Sequence, residues 1–189
     1  WTGDDGAYIR TTMGAMALFG LVPEKYWPYK EDQFNVEPTA FMYSYAQNFQ
    51  ALLYYRLDAD GVRGQPLLNK IKDYLRKGLP MMFGFTCFTS LDQADDGKIP
   101  FPGRSEEVDG GHAVMAVGFE DAIKIVNPND TDLVTTGAIK IRNSWGKEWG
   151  EEGYGWLPYE YVLKGIADDW WTMIKGEWIE TKHFGLGNG

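Results

Sequence analysis

Two stretches of this chain carry residue types that could do chemistry together. The first is Gly110-Gly111-His112-Ala113-Val114-Met115-Ala116-Val117-Gly118-Phe119, a histidine opening a run of small and apolar residues behind a glycine pair. The second is Asn143-Ser144-Trp145-Gly146-Lys147-Glu148-Trp149-Gly150, continuing through Glu151-Glu152-Gly153-Tyr154-Gly155-Trp156. An imidazole can take the proton of a cysteine thiol and stabilise the thiolate as an ion pair. It does so only if the correct ring nitrogen faces the sulfur, and an Asn side-chain oxygen accepting from the other nitrogen fixes that choice. An indole over the His–Asn hydrogen bond keeps water away, and Trp145 is placed two residues after Asn143 to do this. Two adjacent glycines before His112 leave backbone bare for close approach.

Positioning these groups requires elements that the sequence patterning marks out. Residues 6–20 are rich in helix formers, with Ile9, Met13, Met16 and Ala17 on one stripe and Gly20 as a stop. A second helix is expected over 38–49, after a loop containing Pro23 and Pro28. Residues 52–58 read as a strand. Residues 65–77 read as a helix, with Pro66 near the first turn, basic residues in the last turn, Gly78 beyond it, and Leu67, Leu68, Ile71, Tyr74 and Leu75 as the apolar stripe. Strands are expected at 81–88, 112–119, 123–126, 138–142, 154–157 and 170–174, with Gly and Pro as punctuation. Residues 1–50 therefore form a helical portion and residues 51–189 a β-rich portion, an α+β organisation.

At 189 residues, 44% hydrophobic and 15% aromatic, the chain has ample material for a packed core. The net charge of −9 repels nucleic acid. No apolar run reaches the length of a membrane span. A single cysteine, Cys87, allows no intrachain disulfide and leans toward a reducing compartment such as the cytoplasm. Cys87 lies in an alternating strand on one face with Phe83 and Phe85, which marks a buried thiol rather than a nucleophile. The acidic runs at 92–96 and 127–132 do not match the twelve-residue calcium loop and read as solvated turns. Two histidines and one cysteine cannot build a typical zinc site, so neither metal nor cofactor is expected. His183 reads as a surface residue.

The segments Gly110–Phe119 and Asn143–Trp156 resemble the His and Asn regions of the papain-like (C1) cysteine peptidases. Gly6-Ala7 before a helix resembles the family's glycine strip, and Glu24-Lys25-Tyr26-Trp27-Pro28-Tyr29 resembles its E-x-x-Y-P-Y turn with one residue intervening. The likeness covers nearly the whole chain and is greatest to disulfide-poor prokaryotic members. It implies a two-lobe fold, here a partial helical lobe plus an antiparallel β-barrel-like lobe. It implies His112 as base and acid, Asn143 as its orienter and Trp145 as the shield. Trp149 would wall the leaving-group side, the backbone at Gly6 and Gly111 would hold an extended peptide, and Ala7 and Gly110 would border the side-chain pocket.

One departure is large. The family's nucleophile sits in a Q-x(5)-C-G-S-C-W type motif at a helix start, and the 189 residues contain no such motif. The cysteine is therefore expected on a separate small N-terminal chain, with this chain alone inactive. Loss of the nucleophile costs on the order of 10⁶-fold in a related serine enzyme. The competing expectation is a catalytically inactive, peptidase-like binding module, or an isolated fragment.

Overall fold

The computed structural model describes residues 6–50, 53–94 and 96–174. His183 and the rest of the expected surface tail lie outside the described residues. The chain divides into two compact units, Trp1–Tyr55 with Met173–Gly189, and Arg56–Thr172.

In the first unit the helix α1 spans Ile9–Phe19 and buries Ile9, Met13 and Met16, the expected stripe. It stops at Gly20, whose φ of +81° suits a residue without a side chain; an added Cβ would stand 1.9 Å from the carbonyl oxygen of Ala46. The second helix, α2, is shorter than the sequence pattern implies. It runs Ala40–Ala46 behind an N-cap at Thr39, whose hydroxyl accepts from the Met42 N–H, and tightens into a 3₁₀ turn over Gln47–Phe49. A short strand, β1, follows at Leu53–Arg56.

The second unit is a sheet with one long helix. Helix α3, Gly64–Arg76, buries Leu67, Leu68 and Ile71. Strand β2, Met81–Phe88, alternates buried and half-buried along its whole length, with Phe83, Phe85 and Cys87 on the core face. The expected strands at 112–119 and 123–126 are one strand, β3, Val108–Asn127, and its partner β4 spans Asp130–Arg142. The β3–β4 register shifts between Ala116 and Gly118 and again between Glu120 and Lys124. Bulges of this kind absorb the residues that read as a break, so the pairing continues through them. Strand β5, Tyr154–Pro158, runs into a short helix α4, Tyr159–Leu163, too brief to leave a periodic signal. Strand β6, Ala167–Ile174, completes the set. Neighbours run in the order β6-β2-β3-β4-β5, with antiparallel pairing throughout.

Trp170 is fully buried and stacks on Phe83 with centroids 3.8 Å apart and planes 4° from parallel. The irregular stretch within β6 is locked by Asp58, whose carboxylate accepts from the N–H groups of Asp169 (2.9 Å) and Trp170 (3.1 Å) and from Arg56 Nε (3.0 Å). Burial pushes the Asp58 carboxyl up, but Arg56 and the backbone donors together outweigh it and hold it below the usual carboxylate range.

Candidate active site

His112 lies directly across from Phe85 in the β2–β3 pairing, and Met115 pairs with Arg142 in the β3–β4 pairing. The first register sets the histidine at the mouth of the sheet. The second brings the end of β4 beside it, so Asn143, one residue beyond β4, reaches across. His112 Nε2 and Asn143 Oδ1 are 2.8 Å apart. The same Oδ1 accepts from the Ser144 N–H at 2.8 Å, which fixes the carboxamide with its oxygen toward the ring. Nε2 is then the protonated nitrogen and Nδ1 carries the lone pair. Such a ring can accept a proton at Nδ1 while Asn143 stabilises the imidazolium through Nε2–H.

Two aromatic contacts hold the ring in place. Trp145 stacks on His112 with centroids 4.9 Å apart and planes 22° from parallel, and Phe85 meets it edge-on at 5.9 Å. Trp145 is itself 48% exposed, so the outer face of the shield is open to solvent. Trp149 meets Trp145 edge-on at 5.5 Å and packs partly against the core. Phe85 had no functional signal in the sequence; only the cross-strand register reveals it.

The loop carrying both tryptophans is closed by two backbone hydrogen bonds, Asn143 N–H to Gly153 O (2.9 Å) and Gly153 N–H to Trp149 O (2.8 Å). Crowding requires glycine at two positions here. A Cβ at Gly155, in β5, would stand 2.5 Å from both Gly97 O and the Trp149 ring, and one at Gly150 would stand 2.3 Å from Tyr154 O. The Trp149 indole thus packs against the bare backbone of Gly155.

Among the other residues expected at the site, Gly110 and Gly111 are at the start of β3, opposite Cys87 and Thr86. Gly110 has φ +132° and open space where a side chain would be. Gly6 and Ala7 belong to the first unit, where they border a hollow shared with Trp27, Tyr29 and Phe34. Cys87 is buried on the core face of β2, and burial, with the nearby Asp109 charge, pushes its thiol up to about 11. That is the opposite of an activated nucleophile. Asn127, expected in a solvated turn, is 1% exposed. No helix of the described residues is long and apolar enough to cross a membrane.

The papain family cysteine protease model matches residues 2–172, and the chain belongs to that family. A peptidase C1-like protein of Acanthamoeba polyphaga mimivirus is 34% identical over 175 residues, covering 90% of this chain and 52% of the relative. A cathepsin B-like protein of Giardia intestinalis is 35% identical over 80 residues, covering 42% of this chain and 23% of the relative. Among solved structures, xylellain, a cysteine protease from Xylella fastidiosa, superposes with a TM-score of 0.71 at 32% identity, covering 90% of this chain and 62% of that one. A digestive procathepsin L of Tenebrio molitor larval midgut shares the fold, with a TM-score of 0.60 at 18% identity over 92% of this chain and 50% of that one. The chain spans about half the length of the mimivirus relative and less of the Giardia one.

Proposed function

We propose that this chain supplies the acid–base half of a papain-type cysteine peptidase, with the nucleophilic cysteine supplied by an N-terminal segment outside these 189 residues. The single observation that carries the reading is the 2.8 Å contact between His112 Nε2 and Asn143 Oδ1, which turns Nδ1 outward as the base. Nδ1 takes the thiol proton and the thiolate attacks the peptide carbonyl carbon. As the C–N bond breaks, Nδ1 returns the proton to the leaving amine. Water then gives a proton to Nδ1 and its oxygen to the acyl carbon, and the C–S bond breaks. Trp145 shields the His–Asn bond. Trp149 walls the leaving-group side, Gly111 holds the substrate backbone, and Gly110 leaves room beside it.

Cys87 is not the nucleophile, because its thiol is buried and stays protonated at neutral pH. The first unit presents an apolar surface that this segment would cover. Leu18 is 66% and Phe41 61% exposed, and Met16, Phe19, Leu21, Trp27, Met42 and Tyr43 line a hollow of about 350 Å³. A contiguous apolar surface of this kind marks an interaction site.

The test is hydrolysis of a fluorogenic peptide by the purified protein with any co-purifying polypeptide. His112→Ala is expected to lower kcat/KM on the order of 10⁴-fold or more. Hydrolysis unaffected by His112→Ala contradicts the reading. Peptide binding without any hydrolysis assigns the chain to a binding module instead.

A further inference from the structure

The far end of β3 folds back toward the beginning of the same strand. Asn127 closes β3, and its Oδ1 accepts from the N–H groups of Asn129 (2.7 Å) and Asp130 (3.2 Å), which fixes the hairpin tip. Its Nδ2 donates to the carbonyl oxygen of Phe101 (2.9 Å) and to the Glu106 carboxylate. Glu106 also accepts from the Gly103 N–H at 3.1 Å, and Gln93 Nε2 donates to Asn129 Oδ1 at 3.2 Å. The tip of the longest hairpin is thus tied to the loop that leads into Gly110, Gly111 and His112.

That loop is pinned at its two ends as well. The Tyr161 hydroxyl donates to Pro100 O at 2.8 Å, and the Thr89 N–H donates to Glu107 O at 3.2 Å. From Phe101 a file of edge-to-face rings leads back to the site. Phe101 meets Tyr161 at 5.6 Å, Tyr161 meets Phe85 at 5.9 Å, and Phe85 meets His112 at 5.9 Å. Glu106 is therefore connected to the imidazole by six residues of chain and by packed rings. Among the described residues it forms no ion pair, so hydrogen-bond acceptance is its visible task.

We infer that Glu106, clamped by Asn127, is a positioning residue for His112, acting through the 100–107 loop and the Phe101–Tyr161–Phe85 rings; this rests on the reading of His112 as the base. Proton transfer tolerates little misplacement, since about 1 Å costs on the order of 10²-fold in rate. A loop free to shift would let Phe101 and Tyr161 retreat, and Phe85 with them, loosening the ring against Asn143.

The test is the imidazole nitrogen NMR spectrum of His112 in the purified full chain, assigned against His112→Gln. The native ring is expected in one neutral tautomer, protonated at Nε2. Glu106→Ala and Asn127→Ala are expected to mix in the second tautomer, and either variant alone serves if the other does not fold. Glu106→Gln retains an acceptor oxygen and is expected to restore the native signal. Asp58→Ala, which weakens the fold away from this loop, is expected to leave the signal native. In peptide hydrolysis with the cysteine-bearing segment present, Glu106→Ala is expected to lower kcat about tenfold with KM within about twofold. A His112 spectrum unchanged in both Glu106→Ala and Asn127→Ala overturns the inference, as does an equal change in Asp58→Ala. Spectra that shift as expected in a protein that hydrolyses no peptide even with the cysteine-bearing segment present support the link between Glu106 and the ring and overturn the peptidase reading instead.

Discussion

Asn143 Oδ1 is shared between two donors, His112 Nε2 and the Ser144 backbone N–H, each at 2.8 Å. The second bond makes the first directional, because a carboxamide turned the other way would put two donors face to face at the backbone. Orientation of the imidazole is thereby written into the start of the Asn–Trp loop. Asn143→Ala is expected to lower kcat on the order of 10²-fold with a small change in KM, measured by steady-state peptide hydrolysis. Equal kcat in variant and native protein would remove Asn143 from the mechanism.

The role proposed for Trp145 is to cover that hydrogen bond. Its ring stacks on His112 yet is half exposed, so removing it opens the pair to water without emptying the core. Trp145→Ala is expected to reduce kcat by about tenfold, while thermal unfolding stays close to native. A large loss of melting temperature with unchanged kcat would assign Trp145 to the fold alone.

Cys87 gives a prediction with a definite sign. Burial first, and the Asp109 charge second, push its thiol up to about 11, above the ordinary thiol value near 8.5. A group raised in the folded state contributes stability that is complete below the ordinary value and is lost as pH rises toward 11. The native protein is expected to resist a thiol reagent at Cys87 at pH 8 and to react on unfolding. Cys87→Ala is expected to flatten the fall in stability between pH 9 and 11, read by denaturant titration.

Asp58 has the opposite sign. Its side chain is 7% exposed and it serves two backbone N–H groups and Arg56. Asp58→Ala is expected to cost about 2–4 kcal/mol at neutral pH. A carboxyl held below its ordinary value stabilises the fold above the unfolded value near 3.9 and loses that contribution as pH falls through the lower folded value. The gap between native and variant is therefore expected to close in strong acid. A gap independent of pH would mean that packing, not the charge, is what the variant lost.

Much of this arrangement could be read from residue order. His112 and Asn143 stood out by the company they keep, and β2 was legible because strict alternation over eight residues has one reading. The continuity of β3 was not, since residues 120–122 fell between two expected strands; whether such residues interrupt a strand or bulge from it depends on a partner strand remote in sequence. Asn127 was missed for the same reason. A polar residue in an Asn-Pro-Asn-Asp run looks solvated until Phe101 and Glu106, 26 and 21 residues away, are seen to take its two N–H bonds. Local pattern carries the strand period, whereas burial of a polar group depends on distant partners.

The central claim is that His112 activates a cysteine other than Cys87. The most direct measurement is the intact mass of every polypeptide in the purified sample after treatment with a thiol-directed epoxide, for native protein and His112→Ala. The account predicts one label at a cysteine other than Cys87 in the native sample and a large loss of labelling rate in His112→Ala. A label on Cys87, or equal labelling with and without the imidazole, would contradict it.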